Sequence, residues 1–258
     1  MKVVLFCGGL GTRLREHSEE IPKPLVNIGH RPIMWHLMRY YAHFGHKDFI
    51  LCLGYRGDMI RDYFVDYHEY LTNDFVLSDA GRKIELLTSD MEDWRITFVD
   101  TGLHTNIAQR LMRVRHHLEG EEMFLANYAD ALTDMPLDGQ IADFTASDAI
   151  VSFVAVPPAL SFHGVMSSEN GVVTRFGTMR DAGFWINGGY FCMRPGIFDN
   201  IENGDELVDK PFERLIAQRK LRVYRYGGFW QQMDTFKDKI TYDRMEGRGD
   251  CPWKLWRR

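Results

Sequence analysis

A doubly wound α/β fold is what this sequence predicts, and three observations carry it. The first is an apolar, β-branched run at residues 3–7 that empties into Gly8-Gly9-Leu10-Gly11, a strand feeding a glycine-rich turn. The second is the alternation that follows as far as Tyr128. Strand-like and helix-like hydrophobic periods replace one another in the order that builds a parallel sheet with helices on both faces. The third is composition: 258 residues, 45% hydrophobic and 26% charged, are enough for a full-sized core.

The glycine turn comes first in the chain. Without Cβ atoms, its backbone N–H groups can approach whatever lies beyond the strand end, which suits a phosphate. Thr12 and Arg13 follow, the arginine offering a planar, permanently charged fork for phosphate oxygens. Lys23 stands further on, stiffened between Pro22 and Pro24. Two familiar phosphate loops do not fit. The spacing from Gly9 and Gly11 leads to Leu14, so the third glycine of a dinucleotide fingerprint is missing, and no Gly-Lys-Ser/Thr supplies a Walker loop. The glycines alone allow a plain strand-to-helix connection; with Thr12, Arg13 and Lys23 they read as a nucleotide-binding loop.

Residues 33–44 carry apolar positions on one helical face and stop at Gly45; residues 48–53 form a second strand, and 58–67 a second helix. Residues 70–92 lose regularity, with short strands at 74–77 and 83–87 that read as a β excursion or a subunit-contact arm. A strand at 95–99 and a helix at 105–118 follow. The apolar run 123–128 ends in Ala129-Asp130-Ala131. Ligands of open α/β sheets gather beyond the carboxyl ends of the strands, so Asp130 belongs near the phosphates, where a carboxylate holding Mg²⁺ attracts them. It reads equally as a turn or capping aspartate.

A short helix at 139–146 and a strand at 149–156 come next. They are followed by a hairpin turn at Ser168-Glu-Asn-Gly171, a strand at 172–176 and another at 184–193. The last carries Asn187-Gly188-Gly189. Paired glycines in a strand mark a bulge or a ligand close to the backbone, and Asn187 is placed to read hydroxyl groups. A helix from Pro211 to about residue 219 and a strand at 221–226 lead into Gly227-Gly-Phe-Trp-Gln-Gln-Met-Asp234-Thr235 and a final helix.

The net charge of -5 offers no field for nucleic acid or an anionic membrane, so a phosphate ligand must be held by local cations. No run reaches the roughly 20 apolar residues of a membrane span, and the start lacks a signal peptide. Cys7, Cys52, Cys192 and Cys251 are scattered, and three sit in apolar runs, which predicts reduced thiols in a soluble, cytoplasmic protein. Trp253 and Trp256 near the end pack either on a sister subunit or on their own core.

Taken together, these residues resemble the sugar-1-phosphate nucleotidyltransferases, and within them the glucose-1-phosphate cytidylyltransferases. The resemblance runs along essentially the whole chain. It rests on Gly8-Gly-Leu-Gly-Thr-Arg-Leu14, Pro22-Lys-Pro-Leu-Val-Asn-Ile-Gly29, Gly54-Tyr-Arg-Gly57 and Val99-Asp-Thr-Gly102. It continues through Ile186-Asn-Gly-Gly189, Gly228-Phe-Trp-Gln-Gln-Met-Asp-Thr235 and Pro252-Trp-Lys-Leu-Trp256. It implies a Rossmann-like, doubly wound mixed sheet of GT-A-like type with a smaller β-rich sugar-binding part. The chain 1–258 would be one domain, with residues 1–135 or so as the nucleotide half and about 136–258 as the sugar half.

The implied reaction is attack of a sugar 1-phosphate oxygen on the α-phosphorus of an NTP, CTP being the first expectation, with loss of pyrophosphate. Asp130 and Asp234 would hold Mg²⁺, Arg13 would steady the departing pyrophosphate, and Lys23 would hold the phosphates at the reacting centre. Phe6, Cys7, Gly8, Gly9, Leu10, Gly11 and Thr12 would wrap the nucleotide beside Ala129, with Thr105 and Arg110 near base or ribose. Gly164, Asn187 and Gly188 would line the sugar. No nucleic-acid or membrane partner is implied, and a homo-oligomer is expected.

Two departures bear on the acceptor. The family's Glu-Lys-Pro, whose lysine binds the sugar phosphate, falls on Thr178-Met179-Arg180, where Arg180, or failing it Arg175, is the substitute cation. The family's Gly-Asp-Gly appears as Ala129-Asp130-Ala131, and the two added methyl groups are expected to narrow the approach to the sugar. A changed acceptor follows, such as an unusual sugar phosphate or a non-sugar phosphate or phosphonate. GTP, dTTP or UTP are alternative donors. A regulatory homologue that binds NTP without turnover is the reading from another class, with Met179 as its support. An NAD-linked oxidoreductase is disfavoured by the missing glycine.

Overall fold

The computed structural model describes residues 1–9, 21–91, 93–158, 163–178 and 183–257. In chain order these form β1 (Lys2–Phe6), β2 (Asn27–Ile28), β3 (Arg31–Pro32), α1 (Ile33–His43), β4 (Asp48–Leu53) and α2 (Gly57–Val65). Next come β5 (Phe75–Ser78), β6 (Lys83–Leu86), β7 (Arg95–Asp100), α3 (Ile107–Arg113), β8 (Phe124–Asn127), β9 (Ala131–Thr133) and α4 (Leu137–Thr145). The remainder is β10 (Val151–Val156), β11 (His163–Ser167), β12 (Val173–Thr178), β13 (Ile186–Met193), α5 (Lys210–Ala217), β14 (Leu221–Arg225), β15 (Trp230–Gln232) and α6 (Phe236–Arg248).

Seven strands make the central sheet in the order β14-β10-β13-β8-β1-β4-β7. β1 pairs in parallel with β4 and β8, β4 with β7, and β10 with β14, whereas β13 runs antiparallel to both of its neighbours. The sheet is therefore mixed. Alternation along each strand divides the apolar residues between two faces. Val3, Leu5, Phe49 and Leu51 join one cluster, into which α1 sinks Ile33, Met34, Leu37 and Met38. Val4, Phe6, Ile50 and Cys52 join the other, covered by Ala108 and Leu111 of α3 and Phe212 and Leu215 of α5. Burial on both faces is why these strands read as unbroken apolar runs.

The chain moves from β1 outward to β4 and β7, then returns to place β8 on the other side of β1. That reversal leaves a crevice beyond the carboxyl ends of β1 and β8, the usual ligand position in such sheets.

Local differences from the sequence reading have local causes. The helix expected over 105–118 is α3 followed by a 3-10 turn, Arg115–Leu118. Two short strands, β9 and β15, were not expected; they pair only with each other, through Ala131 and Gln232 at one end and Thr133 and Trp230 at the other. The excursion at 70–92 is a β5–β6 hairpin whose strand residues are all exposed. Trp253 packs on its own core, 1% exposed, against Phe229, Tyr242 and His36.

Candidate active site at the carboxyl edge of β1 and β8

β1 ends in Gly8 and Gly9, and beneath that turn lies Arg110 from α3, only 3% exposed. Its guanidinium donates to the carbonyls of Gly8 (3.0 Å) and Leu53 (3.1 Å) and to the Thr101 hydroxyl (2.7 Å). One buried cation thus ties the ends of β1, β4 and β7 together, each bond being charge-assisted. A Cβ at Gly8 would lie 2.1 Å from Arg110 Nη1, so the absence of a side chain there is a steric requirement of this arrangement. Arg110, expected near base or ribose, has its donors committed to the scaffold under the turn. Thr105 is half-buried in the connection just before α3. Cys7 is fully buried, and that burial pushes its thiol up to about 12, which leaves it inert.

β8 ends differently. Asn127 is buried; its side-chain oxygen accepts the Ala129 N–H at 2.8 Å and its amide reaches the Tyr41 hydroxyl at 3.2 Å. The turn so formed holds Ala129 at φ 63, a left-handed conformation that costs a non-glycine residue roughly 1 kcal/mol. Ala129 and Ala131 are both buried in the hydrophobic cluster on the α1 side of the sheet. Their methyl groups therefore fill the core, which corrects the expectation that they narrow the approach to the sugar.

This turn aims Asp130 at the β9–β15 ribbon. Met233 donates its N–H to the Asp130 carbonyl at 2.9 Å, and the Gln232 amide donates to Asp130 Oδ2 at 3.1 Å. From α6, the Tyr242 hydroxyl donates to the Gln231 carbonyl and accepts the Leu132 N–H, clamping both strands of the ribbon. Asp234 follows β15 directly. Thr235 and Asp238 form the capping box of α6, and the Asp238 carboxylate also accepts the Asp234 N–H at 3.1 Å. The chain direction at Asp234 is fixed by that cap.

Lys23 meets both carboxylates. It lies in a 3-10 turn, Lys23–Leu25, between Pro22 and Pro24. Its ammonium donates to Asp130 Oδ2 at 2.7 Å and to Asp234 Oδ1. Burial alone lowers the ammonium's pKa, but the charges and hydrogen bonds of Asp130 and Asp234 outweigh it and hold the group above its ordinary value. Three residues far apart in sequence thus share one small volume at the crevice.

On the other side of Asp130, the Asn187 amide donates to the Tyr128 hydroxyl at 3.3 Å and its carbonyl accepts the Gly189 N–H at 2.9 Å. Gly189 sits at φ 76, with Tyr128 against the space its Cβ would fill. The β10–β13 register slips here, so the paired glycines are a bulge. The Trp230 indole donates to the Gly188 carbonyl at 2.9 Å, joining this bulge to β15. Gly164 stands in β11 opposite Gly177.

Of the residues expected in the site, Lys23, Asp130 and Asp234 are brought together, and Gly8 is joined to Arg110. Asn187 and Gly188 reach the same crevice through Tyr128 and Trp230. Leu10, Gly11, Thr12, Arg13, Met179 and Arg180 lie outside the described residues. Gln232, Tyr128, Trp230 and Tyr242 were not singled out from sequence. Trp230 and Gln232 lie within the motif 228–235 but were given no role there, and Tyr128 and Tyr242 carried no signal beyond their place in the chain.

Comparison with known proteins identifies the family. The nucleotidyl transferase family profile matches residues 2–236. The chain is 36% identical over 258 residues to a "Probable glucose-1-phosphate cytidylyltransferase" of Bacillus subtilis (strain 168), covering 99% of this chain and 100% of that protein. It is equally similar, at the same coverage, to a glucose-1-phosphate cytidylyltransferase of Salmonella typhi. Among solved structures, UDP-glucose pyrophosphorylase from Acinetobacter baumanii superposes with a TM-score of 0.70 at 17% identity, covering 99% of this chain and 96% of that one. The last match bears on fold alone; with the family profile and the full-length relatives, it places this chain in the nucleotidyl transferase family, as an enzyme that transfers nucleotidyl groups.

Proposed function

We propose that this enzyme joins CTP and a sugar 1-phosphate into a CDP-sugar with release of pyrophosphate. A phosphate oxygen of the acceptor forms a bond to the α-phosphorus. The bond from that phosphorus to the α,β-bridging oxygen breaks, and its electron pair leaves with pyrophosphate. The nucleophile is already an anion, so the protein's task is alignment and neutralisation of charge. The observation that carries the reading is the meeting of Lys23, Asp130 and Asp234 at the carboxyl edge of β1 and β8.

Two carboxylates converging on one cation are a hard-oxygen donor set of the kind that holds Mg²⁺ together with substrate phosphates. Asp130 and Asp234 are the residues that would hold it, and Mg²⁺ there would neutralise phosphate charge. The lysine ammonium is placed to bind phosphate oxygens at the same point. The glycine turn on Arg110 offers its backbone to the nucleotide, with Arg13 as the cation for pyrophosphate. Asn187 and Gly188 are the proposed sugar contacts, with Gly164 and Arg180 beside them. Residues up to about 135 would form the nucleotide half and the rest the sugar half.

Cys7, Cys52 and Cys192, thiols buried in the core, support a reducing, cytoplasmic setting, and the exposed apolar residues of the β5–β6 hairpin support a homo-oligomer. The test is a matrix of the four NTPs against phosphorylated acceptors, read by pyrophosphate release. CTP with glucose 1-phosphate or a related sugar 1-phosphate should be the productive pair. Silence across the matrix despite tight NTP binding would instead indicate a regulatory homologue. Thr178-Met179-Arg180 makes acceptor choice the most informative axis.

A further inference from the structure

β15 is a three-residue strand, and alternation sets the side chains of Trp230 and Gln232 on one side of it and that of Gln231 on the other. Trp230 spends its indole N–H on the Gly188 carbonyl, at the sugar-side bulge. Gln232 reaches the opposite end of the crevice, where its amide donates to Asp130 Oδ2 at 3.1 Å. One edge of this strand therefore runs from the proposed sugar contacts to the proposed metal carboxylates.

The surroundings of Gln232 hold it in place. It lies opposite Ala131 in the β9–β15 register, and the next residue, Met233, donates its N–H to the Asp130 carbonyl at 2.9 Å. Two adjacent residues thus grip one aspartate, one at its backbone and the other at its carboxylate. Met233 is fully buried and Tyr242 clamps both strands of the ribbon, so the register cannot slide. A carboxylate only accepts hydrogen bonds, so the amide must turn its N–H toward Asp130. The flipped amide would set lone pairs against lone pairs.

Lys23 donates to the same oxygen, Oδ2, at 2.7 Å, so both side-chain donors crowd one side of the carboxylate and Oδ1 accepts no hydrogen bond among the described residues. The two donors differ in charge. Lys23 is a cation between Asp130 and Asp234, and a divalent ion held by the same pair repels it toward the substrate phosphates. Gln232 is neutral, so it can keep Oδ2 whether or not the ion is there. A lysine or arginine in its place would oppose the ion, and a glutamate would oppose Asp130. We propose that Gln232 is a positioning residue: it fixes the Asp130 carboxylate with Oδ1 left open, and so sets the affinity for metal-bound nucleotide. This deepens the reading of Asp130 and Asp234 as the metal-holding pair, and rests on it.

Calorimetric titration of the full chain with each of the four NTPs, in EDTA and in Mg²⁺ and without acceptor, measures the gain in affinity that the metal brings. Wild type should show such a gain with CTP. Gln232→Met keeps the length of the side chain and removes the donor. It should reduce the gain by about tenfold or more, while binding in EDTA and the unfolding midpoint stay as in wild type. Asp130→Asn should also lose the gain, and adding Gln232→Met to it should cost little more, because the glutamine acts through that carboxylate. A full gain in Gln232→Met beside its loss in Asp130→Asn would overturn the role of Gln232 and leave the metal pair standing. Equal weakening in EDTA and in Mg²⁺, or additive losses in the double variant, would make Gln232 a nucleotide contact or a structural residue and refute the proposal. No Mg²⁺-dependent gain in wild type with any NTP would remove the metal pair, and the proposal with it.

Discussion

Replacing Lys23 with methionine isolates the central electrostatic feature of the site. The substitution keeps most of the side-chain volume but removes the charge between Asp130 and Asp234. The three side chains are 15%, 16% and 26% exposed, so the two carboxylates would face each other with little solvent to screen them. Breaking a fully buried ion pair from one side costs about 3–5 kcal/mol. Partial exposure reduces this to about 2–3 kcal/mol. For a chain of this size that corresponds to a fall in Tm of about 4–10 °C. The assay is thermal and urea unfolding in EDTA, repeated with millimolar Mg²⁺. Lys23→Met should be destabilised in EDTA and regain stability with Mg²⁺, since a divalent cation relieves the same repulsion. Adding Asp130→Asn should recover part of the loss by removing one of the opposed charges. A Lys23→Met protein as stable as wild type in EDTA would refute the reasoning. So would indifference of its stability to Mg²⁺.

Three further outcomes follow from the same geometry. Asp234→Asn should lower kcat/KM by about 10²-fold or more while the unfolding midpoint stays near wild type; a near-normal rate would remove Asp234 from the reacting centre. Gly8→Ala should cost about 1–3 kcal/mol and weaken NTP binding, because its Cβ meets the Arg110 guanidinium; unchanged stability and affinity in urea unfolding and calorimetry would show that the turn relaxes freely. His36 carries a pH dependence. Its folded pKa, lowered to about 4 by burial, means that below pH 6.5 the unfolded chain takes a proton the native chain refuses. Its stabilisation is therefore full above pH 6.5 and is lost as pH falls toward 4. Wild type should lose about 2 kcal/mol more than His36→Gln between pH 7.5 and pH 5, measured by urea unfolding; parallel losses would show that His36 is not the group responsible.

How much was legible beforehand differs between elements. The runs that became β1, β4 and β8 were visible because each is buried on both faces and is mostly apolar, and β7, half-buried at the sheet edge, from its β-branched and aromatic residues. α1 was visible from its apolar face and its glycine stop. The ribbon of β9 and β15 was not visible, because three-residue strands have no period to detect, and these two hold together by pairing across a gap that no local pattern spans. Arg110 was read toward the ligand because an exposed arginine and a buried one look alike in sequence. Its place under Gly8 depends on three strand ends meeting α3.

The sequence by itself determined the apolar layers, the glycine turn and the set of charged residues available for phosphate chemistry. These follow from short-range sterics and from periodicities of two and 3.6, which neighbouring residues express directly. Only the tertiary structure decided that Lys23 touches Asp130, 107 positions away, and Asp234, 211 positions away. It also decided that Ala129 and Ala131 turn their methyl groups into the core and that Trp253 stays within its own chain. Such contacts depend on how the sheet reverses at β1 and on hydrogen bonds between elements distant in the chain, and neither is encoded in any window of adjacent residues.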